Sequence, residues 1–146
     1  KEKIIKNVKQ IKKFYENLLN KKPKIAILGL NPHCESIDKA SEEKKIIIPA
    51  INFLKKINLN TDGPFPADTF FLKKNINKYD VVVGMYHDQV LAPLKTLYNF
   101  NAINITLGLP FIRISPDHGP NSKMLGKNMS DPSSIFCAMR FINKIR

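Results

Sequence analysis

Three histidines stand where side chains could bind a metal, because each lies in a loop shortly after a predicted strand. His33 follows the apolar run Lys24–Leu30, His87 follows the run of valines that ends at Gly84, and His118 follows a third extended stretch. In open α/β sheets, ligands bind at the carboxyl ends of the strands. Taken singly, each histidine is better explained as a surface side chain. As a set they favour a metal site assembled from several strand ends, because neutral imidazole is a common ligand.

Carboxylates accompany these histidines. Asp88 directly follows His87 and is suited to orient the ring or to move a proton, so it is the candidate catalytic residue. Asp68 is either a further ligand or a helix cap, and Asp117 either joins the site or only fixes the loop before His118. Two histidines are too few for a closed zinc site. A third ligand must come from Asp68, Asp88, another chain or a segment outside this sequence.

Two cations and one amide lie within apolar stretches. Lys95 and Arg113 either extend to the surface or bind a phosphate or carboxylate, Arg113 through its two-pronged guanidinium. Asn104 lies on a strand that looks buried, where its amide needs a partner such as a substrate. Cys34 and Cys137 form no CxxC pair and are expected to be reduced thiols, although Cys34 is close enough in sequence to His33 to touch a metal.

The spacing of apolar residues predicts the elements that must hold these side chains. Apolar positions three and four apart indicate helices, and short apolar runs indicate strands. Ser41 is a favourable N-cap, Glu42 and Glu43 complement the helix that follows, and Pro49 predicts a kink or a late start. The predicted helices cover Ile4–Leu18, the segment after Ser41 to Ile57, a short helix after the Gly63–Thr69 turn, Val90–Tyr98, and the segment after Asp131 to Ile142. The predicted strands are Lys24–Leu30, Val81–Val83, Ala102–Leu107 and the extended stretch to Ser115.

Helices that alternate with strands predict an α/β fold, with a largely parallel sheet flanked by helices. Residues 1–146 are expected to form a single α/β domain with its own core. No apolar run approaches the roughly 20 residues of a membrane span, and no signal-peptide core is present, so a cytoplasmic protein is expected.

The charge and the motifs limit the function classes. A net charge of +12 would suit a nucleic-acid-binding module. However, the lysines are spread along the whole chain without interleaved aromatic residues, which favours a solvated surface. No GxGxxG, GxxxxGK[ST] or GxSxG motif occurs. The residues by themselves therefore predict an α/β domain with a metal or anion site at its strand ends.

Seven motifs, found in the order of one enzyme family, extend this prediction. They are LGLNPH (Leu28–His33), IIIPAI (Ile46–Ile51), GPFPADT (Gly63–Thr69), MYHDQ (Met85–Gln89), LK (Leu94–Lys95), NITLGLPFIR (Asn104–Arg113) and DHG (Asp117–Gly119). Through them the chain, from about Lys24 onward, closely resembles the 4-hydroxythreonine-4-phosphate dehydrogenase family of pyridoxal phosphate biosynthesis.

The resemblance implies an oxidoreductase that uses NAD or NADP and a divalent metal (zinc, magnesium or cobalt) acting as a Lewis acid. Its substrate would be 4-phosphooxy-L-threonine, oxidised to a β-keto acid that decarboxylates to 3-amino-2-oxopropyl phosphate. By position in the motifs, the implied roles are metal ligand for His33 and His87, support of the ligand or proton transfer for Asp88, substrate binding for Lys95, Asn104 and Arg113, and cofactor contact for His118 and Gly119.

The resemblance further implies the C-terminal half of a larger two-domain fold, similar to isocitrate and isopropylmalate dehydrogenases. Family members are homodimers whose active sites use residues of both subunits. The half that would precede Lys1 is expected to supply the third histidine ligand, so the 146-residue chain alone is expected to be inactive. The family's Gly-rich acidic stretch after NPH and its Thr-Ala after DHG are replaced here, the latter by Pro120-Asn121.

Three other hypotheses stay open at this point. A paralogous dehydrogenase would act on phosphorylated threonate-like or erythronate-like acids and keep the same metal and phosphate residues. A nucleic-acid-binding module would bind through its basic charge and lose affinity steeply with salt. An inactive dimerisation half would associate with a second copy without catalysing a reaction.

Overall fold

The structure, a computed structural model, describes residues 1–34, 40–119 and 122–145 and divides the chain into two compact units, Lys1–Pro93 and Leu94–Arg146. The prediction of a single domain for residues 1–146 stays a prediction. The helices are α1 (Glu2–Leu19), α2 (Ile48–Lys56), α3 (Ala67–Phe70), α4 (Lys73–Ile76), α5 (His87–Tyr98) and α6 (Ser133–Lys144). The strands are β1 (Ile25–Leu28), β2 (Thr61–Phe65), β3 (Val81–Val83), β4 (Ile103–Thr106) and β5 (Arg113–Pro116).

A parallel three-stranded sheet in the order β2-β1-β3 forms the centre of the first unit. All four residues of β1 are buried, as expected for a strand that is apolar on both faces. Ile25 and Ile27 pack into a cluster with residues of α1 and α2, whereas Ala26 and Leu28 pack with Phe70 of α3. Helices therefore flank both faces, which confirms the predicted α/β fold with a parallel sheet.

The second unit is built on an antiparallel pair, β4 and β5, with α6 packed against it. The connection of residues 107–112 is too short for a parallel crossover, so the chain turns back as a ribbon. The hydroxyl of Ser134 in α6 donates to the carbonyl of Ala102 and accepts the N–H of Asp117, which attaches the helix to both strands. The predicted extended stretch to Ser115 is thus a strand, paired antiparallel.

Most helices and strands follow the sequence prediction, with local differences. A π-helical turn, Glu43–Ile47, precedes α2, and Pro49 lies at the start of the α-helical part, as the late-start prediction requires. The segment around Gly63, predicted as a turn, forms strand β2, and helix α4 was not predicted.

Cys34 and Cys137 are both free thiols, as expected. Within the described ranges, every helix is too short or too polar to span a membrane.

Candidate functional site

His33 lies in the turn after β1 and is held there from two sides. The side-chain oxygen of Asn31 accepts the backbone N–H of His33 at 3.0 Å. Nδ1 of His33 lies 3.1 Å from Oδ2 of Asp68, in the first turn of α3. The N-cap position of α3 is Pro66, so Asp68 lies within the first turn and not at the cap. Asp68 is therefore not the N-cap; it contacts His33 instead, and its role as a further metal ligand stays a prediction.

His87 is the first residue of α5, and Nδ1 of its ring lies 2.7 Å from Oδ1 of Asp88. The prediction that it lies in a loop, with the helix beginning at Val90, was wrong. Asp88 favours the earlier start because a carboxylate in the first turn complements the helix dipole. β1 and β3 are hydrogen-bonded neighbours and run parallel. His33 and His87 therefore follow adjacent strands at the same edge of the sheet.

Both imidazoles fit a divalent metal in one specific respect. A carboxylate next to Nδ1 fixes the tautomer and leaves Nε2 as the ligating atom, an arrangement common among metal-bound histidines. Both rings are exposed, with 71% and 78% of the side-chain surface accessible. Within the part of the chain that the structure describes, no group of three or more His, Cys, Asp or Glu side chains could hold a metal. The described residues thus place two candidate ligands after adjacent strands but do not form a complete metal site.

Cys34 is poorly suited to complete that site. Its thiol is half-buried, and burial raises the pKa of Cys34 above its usual range. A metal binds the thiolate, which a raised pKa disfavours. The nearby cysteine is therefore better explained by packing against Gly29 at the end of β1.

Glu43 supports the turn that carries His33, a role that the sequence analysis missed. Its side chain is only 3% exposed, and Oε1 accepts the backbone N–H groups of Leu30 at 2.9 Å and Asn31 at 2.7 Å. These hydrogen bonds, that of Asn31 above all, hold the pKa of Glu43 below its usual range. From the sequence, Glu43 was expected only to complement the positive end of the helix that follows. Its partners lie 12 and 13 positions earlier, and local pattern does not reveal such contacts.

Asn104 and Arg113 lie on the same face of the β4–β5 ribbon. Asn104 pairs with Ser115 and Thr106 with Arg113 in the antiparallel register, so these four side chains share one face. Nη1 of Arg113 donates to Oγ1 of Thr106 at 3.0 Å. The prediction that Asn104 is on a buried strand was wrong, because Asn104 and Arg113 are both exposed. An exposed guanidinium beside an amide is suited to an anionic ligand.

Lys95 is held by Asp117, directly after β5. Its ammonium lies 2.8 Å from Oδ2 of Asp117 and also donates to the carbonyl of that residue. The backbone N–H of Asp117 donates to Ser134 at 2.8 Å. Asp117 therefore fixes the loop before His118, one of its two predicted roles. Lys95 is half-buried, so its side chain is partly accessible to solvent.

His118 and Gly119 are exposed and line a cavity of about 1130 Å³ in the second unit. Ligand pockets commonly measure about 300–1,000 Å³, so this space is large enough for an extended cofactor. Other described residues that line it are Lys95, Phe100, Met124, Leu125, Gly126, Asn128, Met129, Ser130 and Asp131. The histidine–glycine pair thus borders a cavity together with the candidate substrate residue Lys95.

These features define an α/β protein with imidazole–carboxylate pairs at the carboxyl edge of a parallel sheet. The family model described as "Pyridoxal phosphate biosynthetic protein PdxA" matches residues 1–142. The chain belongs to this family, which confirms the resemblance seen in its motifs.

Curated relatives and a solved structure agree with the family. The chain is 49% identical, over 95% of its length, to a 4-hydroxythreonine-4-phosphate dehydrogenase of Sulfurihydrogenibium sp., and covers 43% of that relative. A dehydrogenase of the same name from Xanthobacter autotrophicus is 45% identical over 84% of the chain, which covers 35% of it.

A crystal structure of a 4-hydroxythreonine-4-phosphate dehydrogenase from Burkholderia phymatum superposes with a TM-score of 0.76 at 33% identity. It matches 97% of the chain, which covers 44% of that structure. The chain therefore spans less than half the length of the relatives it matches.

Proposed function

We propose that this chain contributes metal and substrate ligands to a 4-hydroxythreonine-4-phosphate dehydrogenase of pyridoxal phosphate biosynthesis. The observation that carries the proposal is the pair of imidazole–carboxylate contacts, His33 with Asp68 and His87 with Asp88, after two adjacent parallel strands. The names of the relatives supply the reaction class. The overall reaction is oxidation of the secondary hydroxyl of 4-phosphooxy-L-threonine, then loss of carbon dioxide to give 3-amino-2-oxopropyl phosphate.

His33 and His87 would hold the divalent metal, either zinc, magnesium or cobalt, through Nε2. When bound, the metal would polarise the reacting oxygen as a Lewis acid, and a nicotinamide (NAD or NADP) would accept the hydride. Asp68 keeps the ring of His33 in the ligating tautomer, and Asp88 does the same for His87. Asp88 is also exposed, so it can accept the proton that leaves the substrate hydroxyl.

The second unit would bind the phosphate and the cofactor. Arg113 presents a guanidinium to anions, and Asn104 adds hydrogen bonds on the same ribbon face. Lys95 would approach the phosphate from the cavity wall after releasing part of its contact with Asp117. His118 and Gly119 would contact the cofactor at the rim of this cavity.

A third histidine ligand would come from a segment outside this sequence, and the complete site would be shared between the subunits of a homodimer. We expect the enzyme to act in the cytoplasm, without nucleic-acid or membrane partners. The 146-residue chain alone should therefore form no NADH from 4-phosphooxy-L-threonine.

A chimera tests the proposal. The chain replaces the matching 43% of the Sulfurihydrogenibium relative, and NADH formation is followed with 4-phosphooxy-L-threonine. We expect activity in the chimera and its loss in the H33A and H87A variants. A folded chimera that oxidises only phosphorylated threonate or erythronate would favour the paralogous dehydrogenase instead. Full activity of H33A or H87A would refute the metal role.

A further inference from the structure

Gln89, in the first turn of α5, is a buried amide with a partner on each side. Glutamine is usually exposed, yet this residue is only 6% accessible. Its Nε2 donates to the carbonyl of Gly29 at 2.7 Å, and its Oε1 accepts the backbone N–H of Met85 at 2.7 Å. The two contacts fix which end of the carboxamide faces which strand, because only nitrogen donates and only oxygen accepts.

The two partners are the ends of the two strands that lead to the histidines. The aligned pairs of β1 and β3 end at Ile27 and Val83. Gly29 and Met85 each come two residues later, at the next equivalent position of both strands. If β1 and β3 continued to pair, their backbones would be hydrogen-bonded to each other at Gly29 and Met85. The carboxamide of Gln89 occupies this position instead. It links the two strand ends through a side chain and holds them apart by the width of an amide.

Gly84, next to Met85, leaves room for the carboxamide of Gln89 because glycine has no side chain. A Cβ added at Gly84 would lie 3.3 Å from Oε1 of Gln89 and 2.7 Å from Cγ1 of Val90. The second distance is shorter than real Cβ contacts, so a side chain here would displace the start of α5. Gly84 thus allows Gln89 to reach both strand ends.

We propose that Gln89 is a positioning residue that sets the separation of the strand ends bearing His33 and His87, and so directs both imidazoles to one metal. The inference rests on the proposed metal role of those two histidines. Gln89 has both polar groups occupied by backbone, so it acts through the histidines and does not bind the metal itself. Its side chain continues to define the spacing when no metal is bound.

The test compares Gln89→Leu and Gln89→Asn with Gln10→Leu, which makes the same change on α1. Leucine removes both contacts, whereas asparagine keeps the amide but is too short to reach both strands. Zinc affinity is measured by competition with a chelator in the chimera described above, which also carries the segment proposed to supply the third ligand, alongside H33A and H87A. Histidine ring resonances of the metal-free chain are recorded by NMR, with exposed His118 as internal reference, and thermal unfolding verifies folding.

We expect both Gln89 variants to weaken zinc binding about tenfold, as loss of groups that orient ligands typically does. The rings of His33 and His87 should shift while that of His118 does not, and Q10L should match the original chain. Unchanged zinc affinity with unmoved rings, or an equal effect of Q10L, would overturn the proposal. If Q89L does not fold, the zinc affinity and the histidine ring resonances of Q89N test the proposal.

Failure of the metal role gives a different result. In that case H33A and H87A would bind zinc like the original chain. The NMR measurement on the metal-free chain would still decide the role of Gln89, because the spacing of the strand ends does not require metal. Rings that move in Q89N support the positioning role, and rings that stay in place overturn it.

Discussion

Nδ1 of His33, in the turn after β1, lies 3.1 Å from Oδ2 of Asp68 in the first turn of α3. The contact joins two segments that are separate in sequence, and it aims Nε2 of the ring away from the carboxylate. Both side chains are exposed, at 71% and 42%, so the contact itself adds little to stability. The contact instead orients the imidazole ring of His33. A mutation of Asp68 can therefore change the ring orientation without unfolding the protein.

Asp68→Asn should weaken zinc binding about tenfold with little change in unfolding temperature, because an amide fixes the ring less strongly than a carboxylate. The measurement is a zinc titration against a competing chelator. Asp131→Asn is the matched control, since the carboxylate of Asp131 accepts the backbone N–H of Ser133 at the start of α6 and lies in the second unit. Equal zinc affinity in D68N and the unmodified chain would show that Asp68 does not orient the ligand.

Glu43→Gln should lower the free energy of unfolding by about 1–3 kcal/mol, since hydrogen bonds to a buried charged group contribute about that much. The carboxylate is 3% exposed and accepts two backbone N–H groups, which a neutral amide serves less well. Urea unfolding measures the change. The exposed neighbour Glu42→Gln should remain within experimental error of the unmodified chain. The same loss in E42Q would assign the effect to helix charge.

Glu43 should also make stability depend on pH. Its pKa is lowered from the usual 4.5, chiefly by the hydrogen bond from Asn31. A carboxyl group with a lowered pKa stabilises the folded state above its unfolded pKa, and this contribution is lost as the pH falls through the folded pKa. The unfolding free energy should therefore drop below about pH 4.5 more steeply in the unmodified chain than in E43Q. Parallel curves for the two chains would contradict this cause.

Arg113→Ala should weaken the binding of inorganic phosphate roughly tenfold or more, because charge-assisted hydrogen bonds contribute about 1.5–3 kcal/mol. Arg113 is exposed on the ribbon face that also carries Asn104. Binding is followed by NMR shifts of the β4 and β5 amides. Arg140→Ala, an exposed arginine on α6, controls for net charge. An equal loss of phosphate affinity in both variants would show that phosphate is attracted by the net positive charge and does not bind a specific site at Arg113.

The sequence predicted the elements whose signal is local. β1 is a short apolar run, and α1 has a regular apolar face, so both were recognised. β2 was missed because Gly63 and Pro64 are poor strand formers, and its extended shape depends on pairing with β1. That His33 and His87 follow strand ends was predicted from the alternation of helices and strands, whereas the pairing of those two strands was not predicted.

The contacts that support the candidate site could not be predicted from local sequence patterns. Gln89 reaches Gly29, which lies 60 positions earlier, and Glu43 reaches Leu30 and Asn31 through space. From the sequence, Glu43 was expected only at a helix start, and Gln89 in the loop before the helix predicted from Val90. Exposure was also misjudged at Asn104, because an apolar strand pattern does not reveal whether one face of a ribbon is left uncovered.

The central claim is that His33 and His87 belong to one metal site. A calorimetric zinc titration of the chimera with the Sulfurihydrogenibium relative tests it most directly, because the chimera also carries the segment proposed to supply the third ligand. The three variants are H33A, H87A and H118A, the last removing the exposed histidine of the second unit. The account predicts one zinc ion per chain, lost in both H33A and H87A and retained in H118A. Zinc binding that survives in H33A or H87A, or that disappears only in H118A, would contradict it.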